Sequence, residues 1–210
     1  MTTGRFITFE GGEGTGKTTQ VRLLASYLTQ SGADVVQTRE PGGSPSAEEI
    51  RALLVTGGAD RWSPMAETLL FYAARVEHWR QVIEPALKRG AHVLCDRFAD
   101  STMAYQAYAG GLERKVVEDL HRLTMGGIEP DLTFVLDIGV EQGLARAGAR
   151  RGAENRFEQK GRAFHEKLRQ GFLDIADHAP KRCVVIDASQ PIERVHSAVL
   201  SALKSRLGAV

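Results

Sequence analysis

The run Gly11-Gly12-Glu13-Gly14-Thr15-Gly16-Lys17-Thr18 constrains this chain more than any other feature. It matches G-x-x-x-x-G-K-[ST], a loop that must join a strand to a helix in order to work. Both neighbours are present. Residues 5–10 are mostly apolar and read as a buried parallel strand. Residues 19–29 place Val21, Leu24, Ala25 and Leu28 at helical spacing. The glycines let backbone N–H groups converge on phosphate oxygens, and the helix N-terminus adds partial positive charge there. Lys17 is expected to reach the β- and γ-phosphates, and Thr18 to offer its hydroxyl to Mg²⁺. Gly11 to Gly16, with Lys17, Thr18 and Thr19, are therefore the expected nucleoside-triphosphate contacts.

The rest of the sequence alternates short β-like runs with longer helical patterns. Strands are predicted at 6–10, 34–38, 92–95, 132–137 and 182–187. Helices are predicted near 18–31, 46–56, 64–89, 113–124, 140–149, 158–178 and 191–206. Ser44-Pro45 reads as a helix start and Gly90 as a helix end. Such alternation predicts a parallel sheet of about five strands with helices on both faces, a P-loop NTPase fold. With 210 residues, one domain spanning 1–210 is expected.

Composition narrows the partners. A net charge of +1 gives no global case for nucleic-acid binding. Cys95 and Cys183 each lie in an apolar run and read as buried free thiols, without metal-ligand spacing. The sequence carries neither a signal-peptide pattern nor a membrane-length apolar run, so a cytoplasmic location is expected.

Acids at strand ends carry the next inference. Ligands of open α/β sheets bind outside the carboxyl ends of strands. Glu10 and Asp96 are thus expected to face the phosphate loop, whereas Asp137 and Asp187 read as turn or capping residues. Asn155 is the sole asparagine, which excludes the Asn-Lys-x-Asp motif that reads guanine. The strand at 92–95 ends in Asp96-Arg97, not in the paired acids of a water-activating ATPase. An arginine there suits a second phosphate group, which guanidinium grips in a fork. Thr38-Arg39-Glu40-Pro41-Gly42-Gly43 sets another arginine on a glycine turn at the same sheet edge.

On the helix at 64–89, Met65, Leu69, Ala73, Val76, Ile83 and Leu87 make an apolar stripe predicted to face the core. Phe71 and Arg75 sit i,i+4 on the other face. They suit stacking and hydrogen bonding to a nucleobase, with a subunit interface as the alternative for Phe71. Ser101, Thr102, Tyr105 and Gln106 gather hydroxyls and an amide by the Asp96 strand end, or simply cap a loop–helix junction. The arginine-rich stretch from Arg146 to Arg156, containing Arg150 and Arg151, reads as a lid over the triphosphate, with a nucleic-acid patch or a solvated linker as alternatives.

These pieces together resemble bacterial thymidylate kinases along the whole chain. The matching segments are Phe9-Glu10-Gly11 with the P-loop, Thr38 to Gly43, Leu70 to Arg75, Asp96-Arg97-Phe98, Ser101-Thr102 with Ala104-Tyr105-Gln106, and Ile186-Asp187-Ala188. The resemblance implies a nucleoside monophosphate kinase fold with a short lid near 146–157. It implies transfer of the γ-phosphoryl of ATP to dTMP with Mg²⁺, in dTTP synthesis. By resemblance Arg39 and Arg97 grip the acceptor phosphate, Phe71 stacks on thymine, and Arg75 bonds its edge. Thr102 and Gln106 line the base pocket, Ser101 is a further substrate-binding residue, and Tyr105 lies by the deoxyribose. Glu10 is implied near the 3′-hydroxyl and, with Thr18 and Asp96, at the metal. An acidic Glu13 in the loop goes with catalytic arginines from the lid, Arg150 and Arg151, beside Lys17 and Arg97. A homodimer is implied as well. The rival readings are a kinase for another nucleotide or a deoxynucleoside, and a P-loop switch.

Overall fold

The protein was analysed as a computed structural model, which describes residues 4–148 and 156–208. Five strands make one parallel sheet in the order β2-β3-β1-β4-β5: β1 Phe6–Glu10, β2 Val35–Arg39, β3 His92–Asp96, β4 Leu132–Asp137 and β5 Cys183–Asp187. The helices are α1 Lys17–Gln30, α2 Pro45–Val55, α3 Pro64–His78, α4 Glu84–Lys88, α5 Ala99–Thr102, α6 Arg114–Met125, α7 Val140–Gly148, α8 Arg162–His178 and α9 Ile192–Leu207. Both sheet faces are covered, as parallel sheets require. Val21, Leu24 and Leu28 of α1 and Val195, Val199 and Leu203 of α9 pack with Ile7, Phe9 and Phe134. The opposite face seats Tyr72, Ile83, Phe98 and Val117 on Phe6, Val93 and Cys95. All five expected strands form, with ends displaced by one residue at β2, β3 and β5. Both thiols are free and buried.

Two local expectations are corrected, and the Ser44-Pro45 helix start forms where expected. The long helix at 64–89 is interrupted by a wider π-type turn, Trp79–Ile83, before α4. Pro85 has no N–H to return to the turn before it, so the regular ladder cannot run through. Ser44 occupies the first capping position of α2 with Pro45 after it, yet its hydroxyl makes no capping bond; Ser63 caps α3 instead, accepting from the Ala66 N–H. The polar stretch after Asp96 is helical: α5 continues into a second π-type segment, Met103–Ala109.

The larger correction concerns α3. Leu69 is 50% exposed and Met65 40%, so the first half of the apolar stripe faces out. The buried side carries Glu67, Thr68, Tyr72, Arg75 and His78. Polar residues occupy an inner face when each finds a partner there, and these do: Glu67 pairs with Arg156, and Arg75 and His78 with Glu40. Asp187 holds a local turn through Ser189 as expected, whereas Asp137 forms a two-pronged pair with Arg169 of α8 at 2.7 Å instead of a turn or cap.

Candidate active site

The phosphate loop spans β1 and α1 as its motif requires. Gly11 has φ +129° and Gly14 φ +69°, and a Cβ on either would come within 2.3 or 2.0 Å of a backbone carbonyl of Leu136 or Gly143. Only glycine allows that approach. Inside the loop, Lys17 donates Nζ to the carbonyls of Gly11 and Gly12 at 3.1 and 2.7 Å and to Thr15 Oγ1 at 3.2 Å. Burial, with Arg97 close by, pulls its ammonium down to about 8. Incoming phosphate oxygens would oppose that shift, since an anion favours the charged form.

Thr18 Oγ1 donates to Asp96 Oδ2 at 2.5 Å. A hydroxyl and a carboxylate side by side at the loop suit Mg²⁺, which keeps most of its ligands as water and phosphate oxygen. Among the described residues no cluster of three or more acids, histidines or cysteines could hold a metal ion.

Glu10 is placed otherwise than expected. It is fully buried behind the cleft, not in it. Its carboxylate accepts from the N–H of Phe98 at 2.7 Å, the N–H of Ser101 at 3.3 Å and the Ser101 hydroxyl at 2.6 Å. Three of its bonds thus go to the turn after β3. Burial, helped by Asp100, raises its carboxyl to about 7. Glu13, three residues on, does line the cleft. Burial pushes the Glu13 carboxyl up, but Arg97, Lys17 and the Tyr105 hydroxyl outweigh it and bring the group to about 2.

Arg97 stands at the junction of these parts, at φ +71°, in the left-handed region. One terminal nitrogen donates to the Gly11 carbonyl at 3.0 Å and to Ser101 Oγ at 3.1 Å; the other reaches Glu13 at 3.1 Å. Its guanidinium lies over the Tyr105 ring, whose hydroxyl donates to Glu13 at 2.5 Å. Arg39 is half-exposed and held by both carboxylate oxygens of Glu48, at 3.0 and 3.1 Å.

One cleft of about 390 Å³ gathers these groups. Its walls include the loop from Glu13 to Thr19, Arg39, Phe71, Arg75, Asp96, Arg97, Ser101, Thr102, Tyr105 and Gln106. Apart from Glu10, Gly11 and Gly12, every expected site residue that is described lines it. Arg75 is buried: Nε donates to Glu40 at 2.7 Å, and one terminal nitrogen to the Phe98 carbonyl and Thr102 Oγ1. Its other terminal nitrogen, Nη1, has no partner, and neither has Gln106 Oε1. Two buried polar atoms of opposite kind are thus left open by residues lining the same cleft.

Arg150 and Arg151 lie outside the described residues. The ends of the basic stretch do not serve the triphosphate in this structure. Arg146 donates to the carbonyls of Ala188 and Ser189, and buried Arg156 is tied to Glu67 and to the carbonyls of Leu54, Gly58 and Ala59. Sequence reasoning missed Glu40, Arg51, Phe157 and Glu158, which also line the cleft. Phe157 stands just before the helix predicted at 158–178; its ring lies 5.3 Å from that of Tyr105 and 6.1 Å from that of Phe71. Glu40 lay inside the glycine-turn motif, and that position was its only signal.

A P-loop with a hydroxyl–carboxylate metal corner and a second, arginine-lined half-pocket defines a P-loop kinase of the nucleoside monophosphate type. The sequence model of the thymidylate kinase family matches residues 9–199, and the chain belongs to that family. It is 57% identical to the thymidylate kinase of Caulobacter vibrioides, over 99% of this chain and 100% of that one. It is 52% identical to that of Afipia carboxidovorans, over 97% of this chain and 90% of the relative. The crystal structure of thymidylate kinase from Ehrlichia chaffeensis superimposes with a TM-score of 0.78 at 38% identity, covering 96% of this chain and 99% of that one.

Proposed function

We infer that this enzyme transfers the γ-phosphoryl group of ATP to thymidine monophosphate, giving the diphosphate and ADP for dTTP synthesis. The observation that carries the base assignment is the open pair in the cleft. Arg75 Nη1 is an unused donor and Gln106 Oε1 an unused acceptor. Thymine offers the complement, a C4 carbonyl and an N3–H. Cytosine would set its amino group against another donor, and a buried unmatched polar pair is costly. Phe71 and Phe157 supply the aromatic wall for stacking.

Catalysis follows from position and charge. Lys17 and the loop amides hold the donor phosphates. Arg39 grips the acceptor phosphate from the β2 side, and Arg97 neutralises charge between acceptor and loop. Mg²⁺ held at Thr18 and Asp96 would add Lewis-acid neutralisation of the phosphates. A phosphate acceptor is already anionic, so no base is required. A deoxynucleoside acceptor would need a carboxylate base, and Glu10 is enclosed behind the turn. Tyr105 sits beside the sugar in this reading, with ionised Glu13 as its partner. The chain works as a single kinase domain whose short lid near 146–157 supplies Arg150 and Arg151.

The expected result in an ADP-release assay is highest kcat/KM for dTMP. dUMP should be weaker by about 1–3 kcal/mol for its missing methyl. Cytidine and purine monophosphates should be poor, and chelation of Mg²⁺ should abolish turnover. A purine preference would overturn the base assignment but not the kinase class.

Met65 and Leu69 project outward from α3, and exposed apolar side chains on one helix favour self-association. We take this face as the homodimer contact. Leu69→Glu should shift the sedimentation of the protein from dimer to monomer; a wild-type monomer would remove the proposal. Among the described residues no helix is long and apolar enough to cross a membrane. Action in the cytoplasm goes with this reading, because its substrates are there.

A further inference from the structure

We propose that Glu40 is the residue that sets the preference for thymine over cytosine, by clamping Arg75, and that His78 and Thr38 in turn hold Glu40. The proposal rests on the thymidine monophosphate reading. Arg75 carries five N–H donors. Nε goes to Glu40 Oε2 at 2.7 Å, and Nη2 goes to the Phe98 carbonyl at 3.1 Å and Thr102 Oγ1 at 2.9 Å. Only Nη1 is open. The guanidinium also lies over the rings of Tyr72 and Phe98, at 4.8 and 5.2 Å. One edge of the group is therefore fixed, and Nη1 on the other is buried without a partner.

The clamp has its own support. Glu40 is buried and splits its carboxylate, Oε2 to Arg75 and Oε1 to His78 Nδ1 at 3.1 Å. His78 is fully buried, and its second nitrogen meets Thr38 Oγ1 at 2.6 Å. Gly43 closes over this imidazole: a Cβ there would fall 2.3 Å from His78 Nε2. A chain of contacts thus runs from the end of β2 through α3 to the open nitrogen of Arg75.

The chain matters because a cytosine ring has one escape. If the guanidinium could turn, Nη2 would leave Thr102, and the freed hydroxyl could accept from the C4 amino group. With Glu40 in place that rotation is blocked, and the wrong base meets only a donor. Specificity gained by obstructing the competitor is a general device. A plain counter-ion for Arg75 would be needed equally for every substrate, so the two roles separate in the ratio.

The test measures kcat/KM for dTMP and dCMP, and the KM for ATP, in the wild type and in Glu40→Gln, His78→Leu and His78→Asn. Glu40→Gln should narrow the dTMP/dCMP ratio by at least about tenfold while the KM for ATP stays within about twofold. His78→Leu removes the imidazole that meets Glu40 and leaves Glu40 itself in place, which keeps the question open to decision if Glu40→Gln folds poorly. It should narrow the ratio too, and His78→Asn, which restores a donor toward Glu40, should recover it. Equal losses for both nucleotides, or an unmoved ratio, would overturn the inference and leave the base reading standing. A wild type without dTMP preference would overturn both.

Discussion

Lys17→Ala is expected to lower kcat by roughly 10³-fold or more while the protein stays folded, as loss of a transition-state charge contact implies. The ammonium sits at the centre of the loop, bonded to the carbonyls of Gly11 and Gly12. It is surrounded by Asp96 and Glu13 as well as Arg97. Phosphate oxygens would take over those bonds on binding. Losing the charge leaves the β- and γ-oxygens facing two carboxylates with one cation fewer. Single-turnover measurement with saturating ATP reads the chemical step, and circular dichroism checks the fold. A folded variant with near-normal turnover would remove Lys17 from the mechanism.

Arg97→Ala should also cost roughly 10³-fold in kcat, the scale at which arginines neutralising phosphoryl transfer act. Arg97 bridges the loop, Glu13 and Ser101, so it ties the donor half of the cleft to the acceptor half. Its φ of +71° adds a control. Arginine already bears the left-handed cost, which alanine shares and glycine would relieve by about 1–2 kcal/mol, so thermal unfolding of Arg97→Gly should register the backbone term separately. Arg97→Lys keeps the charge without the fork, and should recover part of the rate only. Loss confined to the KM for ATP would return Arg97 to donor binding. The same assay sorts the lid: an Arg150→Ala, Arg151→Ala double variant should lose kcat at unchanged KM for dTMP. An unchanged kcat would reopen the basic stretch as a binding patch.

Much of the site was readable because its signals are local. The P-loop, its strand and its helix lie within consecutive residues, and Asp96-Arg97 follows directly from a buried run. Phe71 and Arg75 came from spacing on one helix. The inward side of α3 was not readable, because its burial is polar. Hydrophobic periodicity finds a buried face only when apolar residues line it. Here Arg75 meets Glu40 across 35 positions and Glu67 meets Arg156 across 89, so the partners that make burial possible are far away in sequence.

The sequence by itself determined the phosphate loop, five parallel strands and the arginines at the sheet's carboxyl edge. These follow from glycine's freedom, side-chain periodicity and strand direction, all short-range properties. Tertiary structure alone decided which acid faces the substrate. Glu10 and Glu13 are three residues apart and both belong to the loop region. Packing of the 98–101 turn against β1 engages Glu10 in three bonds and buries it, while Arg97 and Tyr105 draw Glu13 into the cleft. It decided equally that Arg156 leaves the basic stretch for the α2–α3 connection, where backbone carbonyls and Glu67 could neutralise it. A charge is buried only where enough partners converge, and that convergence exists only in the folded chain.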